Sequence, residues 1–169
     1  PDARELDVLL ATGEHQSATL VSMALHGLGV AAISLTGPQA GITTDGRYGR
    51  ARIAGIEPRR VRAELAAGKV VIVAGFQGVT PEGDYTTLGR GGSNATLVAV
   101  GAVLKADVCE NYTDVDGIYT ADPNVDATAE RIDMLSYSDF LTAGYGVMDA
   151  TAVSLCMENK LPILVFNLR

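Results

Sequence analysis

Two cysteines in 169 residues are too few for a disulfide framework. Cys109 falls in a predicted strand and Cys156 in a predicted helix, so both read as buried, reduced thiols. Aromatic residues make up only 5% of a chain that is 47% apolar, a composition that suits an alanine- and valine-rich α/β protein. The net charge of −7 denies the chain the basic surface that nucleic acid or an anionic membrane requires. It leaves open a local pocket for a small anion. No apolar run is long enough to cross a bilayer, and the charged opening residues lack the apolar stretch of a signal peptide. A soluble cytoplasmic protein is expected. His15 and His26 are isolated, without metal-ligand spacing, and read as surface or cap residues; no metal ligands are assigned. The P-loop signature G-x-x-x-x-G-K-[ST] is missing, so that phosphate cradle is excluded. There is no internal repeat, low-complexity segment or linker, and the length fits one domain, residues 1–169, with a sizeable core.

What is present is an alternation of helix and strand. Leu20, Val21, Ala24, Leu25 and Leu28 form a helical stripe that Gly29 is placed to end. Val30 to Leu35 reads as a strand. Pro58 can start a short helix from Arg59 to Ala67 that stops at Gly68. Val70 to Ala74 is a β-branched run, as in a parallel strand buried on both faces. Ser93 can cap a helix running to about Lys105, and Val108 to Tyr112 is the next strand. Ser136 and Asp139 make a capping-box-like start, Asp149 can cap a helix through Glu158, and Ile163 to Phe166 is the last strand. This order predicts a mostly parallel sheet covered on both faces, with ligands beyond the carboxyl ends of its strands.

Two clusters fall on that rim. In Gly89-Arg90-Gly91-Gly92-Ser93 the arginine offers a fork of donors for a carboxylate or phosphate. The glycines let backbone approach a ligand, and Ser93 can cap its helix while facing the site. An ordinary βα turn with a surface arginine has the same sequence. In Thr113-Asp114-Val115-Asp116-Gly117, with Tyr119 and Asp122-Pro123, carboxylates near a strand end can bind Mg²⁺ or a ribose, and Tyr119 can stack on a base. A solvated turn is the other reading, because Asp and Gly favour turns for backbone reasons alone. Gly13-Glu14 reads as the opening of the first helix. Glu14 there complements the helix dipole or faces the pocket and binds an ammonium group. Gly37 to Gly41 reads as a loop on the same rim.

The words RELDVLLATGE, TGPQAGITTDG, VVIVAGFQGVT, TTLGRGGS and ADVCENYTDVDGIYTADP together resemble the amino acid kinase family, and within it the aspartokinases, from about Arg4 to Leu135. From Gly144, VMDATAVSLCMENKLPILVFNL is similar to the tail of bacterial UMP kinase, in the same superfamily (residues 144–168). The resemblance implies a three-layer αβα sandwich with a mostly parallel sheet. It implies transfer of the ATP γ-phosphoryl group to the β-carboxylate of L-aspartate, with Mg²⁺. Carried over by position, Glu14 would bind the substrate amino group. Arg90 and Ser93 would hold the carboxylates at the reacting centre, with the Gly91-Gly92 backbone beside them. Thr113, Asp114 and Tyr119 would line the ATP site, with Asp122 close to the nucleotide.

The chain departs from the family in several places. The lysine-bearing K-F-G-G-type loop is not found in it, so an N-terminal part of the fold is expected to be missing. Asn94 stands in place of Asp, Gly146 in place of a basic residue, and Asn124 in place of Arg. The ACT domains are not found either. A nucleotide-binding remnant or scaffold is therefore a second reading, and a UMP kinase a third. A shortened sheet would expose an edge, which favours a homodimer or a partner that completes it.

Overall fold

The computed structural model describes residues 2–113, 117–121, 125–145, 148 and 150–168. The chain divides into two compact units, Pro1–Thr96 and Leu97–Arg169. The first opens with α1 (Ala3–Gly27), capped by Asp2, whose side chain accepts the Glu5 amide at 3.1 Å. The leucine- and alanine-rich sequence carries this helix straight through Gly13, where an interior glycine costs about 1 kcal/mol. Gly13-Glu14 is therefore mid-helix, not a helix start. The stripe from Leu20 exists but faces outward: Leu20 is 64% and Val21 50% exposed. The buried side chains of α1 are Asp7, Ala11, Ala18 and Ser22.

Next come β1 (Ala32–Leu35), β2 (Ile42–Thr44), β3 (Ile53–Ile56), α2 (Arg59–Ala66), β4 (Val70–Val73), β5 (Gln77–Val79) and β6 (Tyr85–Thr87). Strands β1 and β4 pair in parallel, from Ala32 opposite Val70 to Leu35 opposite Val73. A second sheet runs β3-β2-β5-β6, with β2 and β5 parallel and the outer pairs antiparallel. Burial of β4 on both faces is not observed. Val70 is exposed and Val71 to Val73 are half-buried, because β4 has one partner strand among the described residues and a two-stranded ribbon covers neither face fully.

Helix α3 (Gly92–Leu104) begins in the first unit and continues into the second. The second unit adds β7 (Cys109–Thr113), β8 (Ile118–Tyr119), β9 (Arg131–Ile132), α4 (Tyr137–Ala143), α5 (Ala150–Asn159) and β10 (Ile163–Asn167). Strands β7 and β10 are parallel, with Cys109 opposite Ile163. The capping box of α4 forms as expected: Ser136 Oγ accepts the Asp139 amide at 3.1 Å and donates to Asp139 Oδ2 at 2.6 Å. Gly144, at φ 70°, ends the helix in the left-handed region. The expected cap at Asp149 lies outside the described residues.

Val98, Cys109, Phe140, Met148, Ala152, Val153, Cys156 and Leu161 form the core of this unit. Both cysteines are free and buried, as their sequence positions suggest. Burial raises the Cys109 thiol and pushes Cys156 up to about 11, so little thiolate forms near neutrality. Alkylation of the native chain by iodoacetamide at pH 8 is expected to be more than about 100-fold slower than in denaturant. Equal rates, followed by mass spectrometry, would show that this core opens freely.

Candidate functional site

In the first unit the site is built from one buried carboxylate. Asp7, inside the apolar run of α1, is fully buried. Both its oxygens accept the Gly49 amide, at 3.0 and 2.8 Å. Oδ2 also accepts the Thr87 amide at 2.9 Å, and Oδ1 the Thr87 hydroxyl at 2.7 Å. Thr87 ends β6, and its carbonyl accepts the Ala51 amide at 2.9 Å. The strand that leads into the glycine turn is thus fixed at its last residue to both α1 and the loop before β3. That loop closes on Asp45, which the backbone amide of Arg52, then that of Arg47, holds below the usual carboxylate range.

The glycine turn follows at once. Gly89 and Gly91 sit at φ 76° and 78°, a region where a side chain is strained. Gly92 is restricted by contact instead: a Cβ there would lie 2.7 Å from Leu88 and 2.8 Å from the Phe76 ring. Phe76 itself is held at φ 66°. Its amide donates to Thr96 Oγ1 at 3.0 Å and its carbonyl accepts the Leu88 amide at 2.9 Å. These bonds offset a strain on the order of 1–3 kcal/mol and lock the turn between the end of β4 and the first turns of α3. Helix α3 starts at Gly92, so Ser93 lies inside its first turn and is not the cap. Of the amides of that first turn, Gly92 donates to the Gly89 carbonyl at 3.0 Å and Ala95 to the Gly91 carbonyl at 3.1 Å, which leaves those of Ser93 and Asn94 facing out of the helix end.

Among the described residues, the side chains of Glu14, Arg90 and Ser93 make no hydrogen bond or ion pair. Arg90 and Ser93 are exposed and Glu14 is half-buried on α1. The next residue, His15, is anchored. Its Nε2 shares a 2.6 Å hydrogen bond with Gln77 Oε1, and its ring meets Tyr85 edge-on. Fully buried Gln77 also accepts the Gly37 amide and donates to the Ala11 carbonyl, both at 3.3 Å. His15 is therefore no lone surface residue, and the Gly37 loop is tied to the segment that bears Glu14. His26 bonds the Ala32 carbonyl at 2.8 Å. Asp7, Phe76 and Gln77 were not singled out as site residues. The available signals were an Asp inside an apolar helix and a Gly-Phe-Gln step directly after a buried-looking strand.

In the second unit Thr113 ends β7, and its carbonyl accepts the Leu168 amide at 2.9 Å. Tyr119, half-buried, lies in the β8–β9 ribbon opposite Arg131. That ribbon was not read from the sequence. It is closed by Asp126, whose carboxyl is held low by hydrogen bonds from the Thr128 hydroxyl at 2.7 Å and amide at 2.9 Å. Asp114 and Asp122 lie outside the described residues, as do Asn124 and Gly146. The charge is unevenly divided. Residues 1–96 hold nine acidic and nine basic side chains, and residues 97–169 hold eleven and four. The whole net charge falls on the second unit.

The sequence profile of the amino acid kinase family matches residues 2–167. The chain is 49% identical to an aspartokinase of Geobacillus stearothermophilus over 98% of its own length and 41% of that protein's. It is 55% identical to an aspartokinase of Corynebacterium glutamicum over 83% of its length and 34% of that protein's. It therefore spans about two fifths, or less, of these curated relatives. The crystal structure of Escherichia coli aspartokinase III with aspartate and ADP superimposes with a TM-score of 0.90 at 30% identity, covering 98% of this chain and 38% of that one. UMP kinase from Ureaplasma parvum, at 22% identity and a TM-score of 0.71, shares the fold. The expected fold class, an α/β sandwich with parallel strand pairing of the amino acid kinase type, is the one observed.

Two substitutions test this construction. Asp7→Ala leaves the buried amide and hydroxyl of Thr87 and the amide of Gly49 without their acceptor and is expected to lower stability by about 3 kcal/mol, read by urea unfolding. Gly92→Ala, which must displace Phe76 or Leu88, is expected to cost about 1–3 kcal/mol. A change within about 0.5 kcal/mol in either variant would contradict the corresponding contact set.

Proposed function

The chain belongs to the amino acid kinase family, and from that membership we propose that it is the substrate- and nucleotide-binding part of an aspartokinase. The reaction is transfer of the γ-phosphoryl group of ATP to L-aspartate. A β-carboxylate oxygen bonds to phosphorus as the bond to the β,γ-bridging oxygen breaks, giving 4-phospho-L-aspartate and ADP. This is the entry to aspartate-derived amino acids such as lysine, threonine and methionine, in the cytoplasm. No helix among the described residues is long and apolar enough to cross a membrane.

The observation that carries the proposal is the uncommitted set on the first unit. Arg90 supplies a rigid fork matched to a carboxylate. The hydroxyl and amide of Ser93 and the amide of Asn94 supply further donors at the positive end of a helix. Glu14 supplies the anion that an α-ammonium group needs. Together they complement a small amino acid with two carboxylates. The support from known proteins is the likeness to aspartokinase III, solved with aspartate and ADP.

Thr113 and Tyr119, with Asp114 and Asp122, are proposed to line the nucleotide site of the second unit. Because that unit is acidic, ATP is expected to bind as its Mg²⁺ complex, in which the phosphate charge is partly neutralised. Among the described residues no three His, Cys, Asp or Glu side chains gather as a metal site; Asp114 and Asp122 lie outside them. Residues 144–168 are proposed to share ancestry with the tail of UMP kinase, and the chain to associate with a second copy or with a partner that completes its sheet.

Calorimetric titration with L-aspartate and with Mg·ATP, alongside an ADP-release assay, tests the reading. Aspartate binding should weaken about 10–100-fold in Arg90→Ala. Unchanged aspartate affinity in that variant would sink the assignment. Nucleotide binding without aspartate-dependent ADP release would identify a remnant that binds but does not transfer.

A further inference from the structure

The loop between β2 and β3, residues 45–52, carries three arginines and one aspartate. Asp45 is taken by two of them: Arg47 Nε lies 3.5 Å from its carboxylate, and the Arg52 amide donates to it at 3.1 Å. Tyr48 donates its hydroxyl to Asp84 at 3.1 Å, and Asp84 is already paired with Arg4. Arg50 is different. It is exposed, and among the described residues its side chain makes no hydrogen bond or ion pair.

Its backbone, in contrast, is fixed on both sides. Gly49, at φ 74°, gives its amide to both oxygens of Asp7, at 3.0 and 2.8 Å. Ala51 is buried and gives its amide to the Thr87 carbonyl at 2.9 Å. The Arg50 amide closes a turn on the Arg47 carbonyl at 3.1 Å. Asp7 and Thr87 are the same groups that fix the end of β6, two residues before Gly89. The consequence is a close approach. A Cβ on Gly89 would lie 3.1 Å from the Gly49 carbonyl oxygen, 3.6 Å from Arg50 Cα and 3.9 Å from Arg50 Cβ. The root of the Arg50 side chain therefore lies against the glycine turn, one residue (about 3.8 Å of backbone) before Arg90. Two unpaired cations rooted this close repel each other, and the carboxylates of this loop and its neighbour Asp84 are already filled. A charge without a partner on a pinned backbone is the signature of a preorganised site for an anion.

We propose that Arg50 is a second substrate-binding arginine, which shares with Arg90 one carboxylate of the amino-acid substrate, so that two guanidinium forks converge on a single anion. The Asp7 anchor then serves both arms, since it fixes the segment that carries Arg50 and the strand that leads to Arg90. The inference rests on the reading of the glycine turn as the aspartate site.

Calorimetric titration with L-aspartate of the parent chain, Arg50→Ala, Arg90→Ala and the double variant tests it. Arg50→Ala should weaken binding about 10-fold with an unchanged urea midpoint, because the side chain is exposed. Arg50→Lys, which keeps the charge and loses the fork, should fall between that variant and the parent. Because both arms grip one group, the losses should not add, and the double variant should bind within about threefold of Arg90→Ala alone. Parent affinity in Arg50→Ala beside a weakened Arg90→Ala would overturn the inference and leave the reading of the site standing. Fully additive losses would overturn it too, by placing Arg50 on a different group. Parent affinity in both single variants, or no aspartate binding by the parent chain, would overturn the inference together with the reading beneath it.

Discussion

The first unit depends on the carboxylate of Asp7. A charged group with no exposure to solvent is tolerable only when its lone pairs are filled, and here two amides and a hydroxyl fill them. The consequence is mechanical. A long helix, a loop and the end of a strand meet at one anion, and the strand end lies two residues before Gly89. The position of Arg90 and Ser93 is therefore set by a contact that touches neither. The buried Gln77 amide acts similarly on the other side, joining His15 and Ala11 of α1 to the Gly37 loop. The helix that bears Glu14 and the turn that bears Arg90 are each held by a buried polar group. This is how a site becomes preorganised instead of merely present.

The glycine turn shows the same economy. Its backbone requires glycine at two positions for φ, and its packing requires glycine at a third. Phe76, held in a strained conformation by two hydrogen bonds, supplies the wall that makes Gly92 necessary. Strain of this kind concentrates at ligand sites. It leaves Arg90 as the one long side chain of the turn, projecting from a backbone with little freedom. The second unit contrasts electrostatically. It carries the whole net negative charge and presents its aromatic and hydroxyl groups from short strands. An anion whose charge is partly neutralised is repelled by it less than a bare polyphosphate.

Much of this was legible in the sequence. The alternation of elements, the extent of α2 and α3, the capping box of α4 and the buried thiols all follow from local signals. The glycine turn stands out in the sequence because glycine, arginine and serine sit together at a strand-to-helix step, and the turn is there in the fold. The failures have physical causes. The start of α1 was misplaced because glycine weakens a helix by about as much as one or two good neighbours restore, and here the leucines and alanines on both sides outweigh Gly13. Burial of β4 was overestimated because a β-branched run records what a strand prefers, not what covers it. Asp7, Gln77 and Phe76 escaped notice because their importance lies in contacts with residues 12 to 80 positions away, which no local pattern encodes. The antiparallel ribbons β2–β3, β5–β6 and β8–β9 were missed because their strands are two to four residues long, too short for a period to show.

The proposed function requires a preformed turn at the start of α3 that holds L-aspartate. Amide chemical shifts followed by NMR during titration with L-aspartate test it most directly. Saturable shifts centred on Gly91, Gly92 and Ser93 are expected, with Glu14 responding and the amides of Gly49 and Thr87 unmoved, because the Asp7 anchor is already made. Shifts centred elsewhere, or a turn that becomes ordered only when aspartate is added, would contradict it.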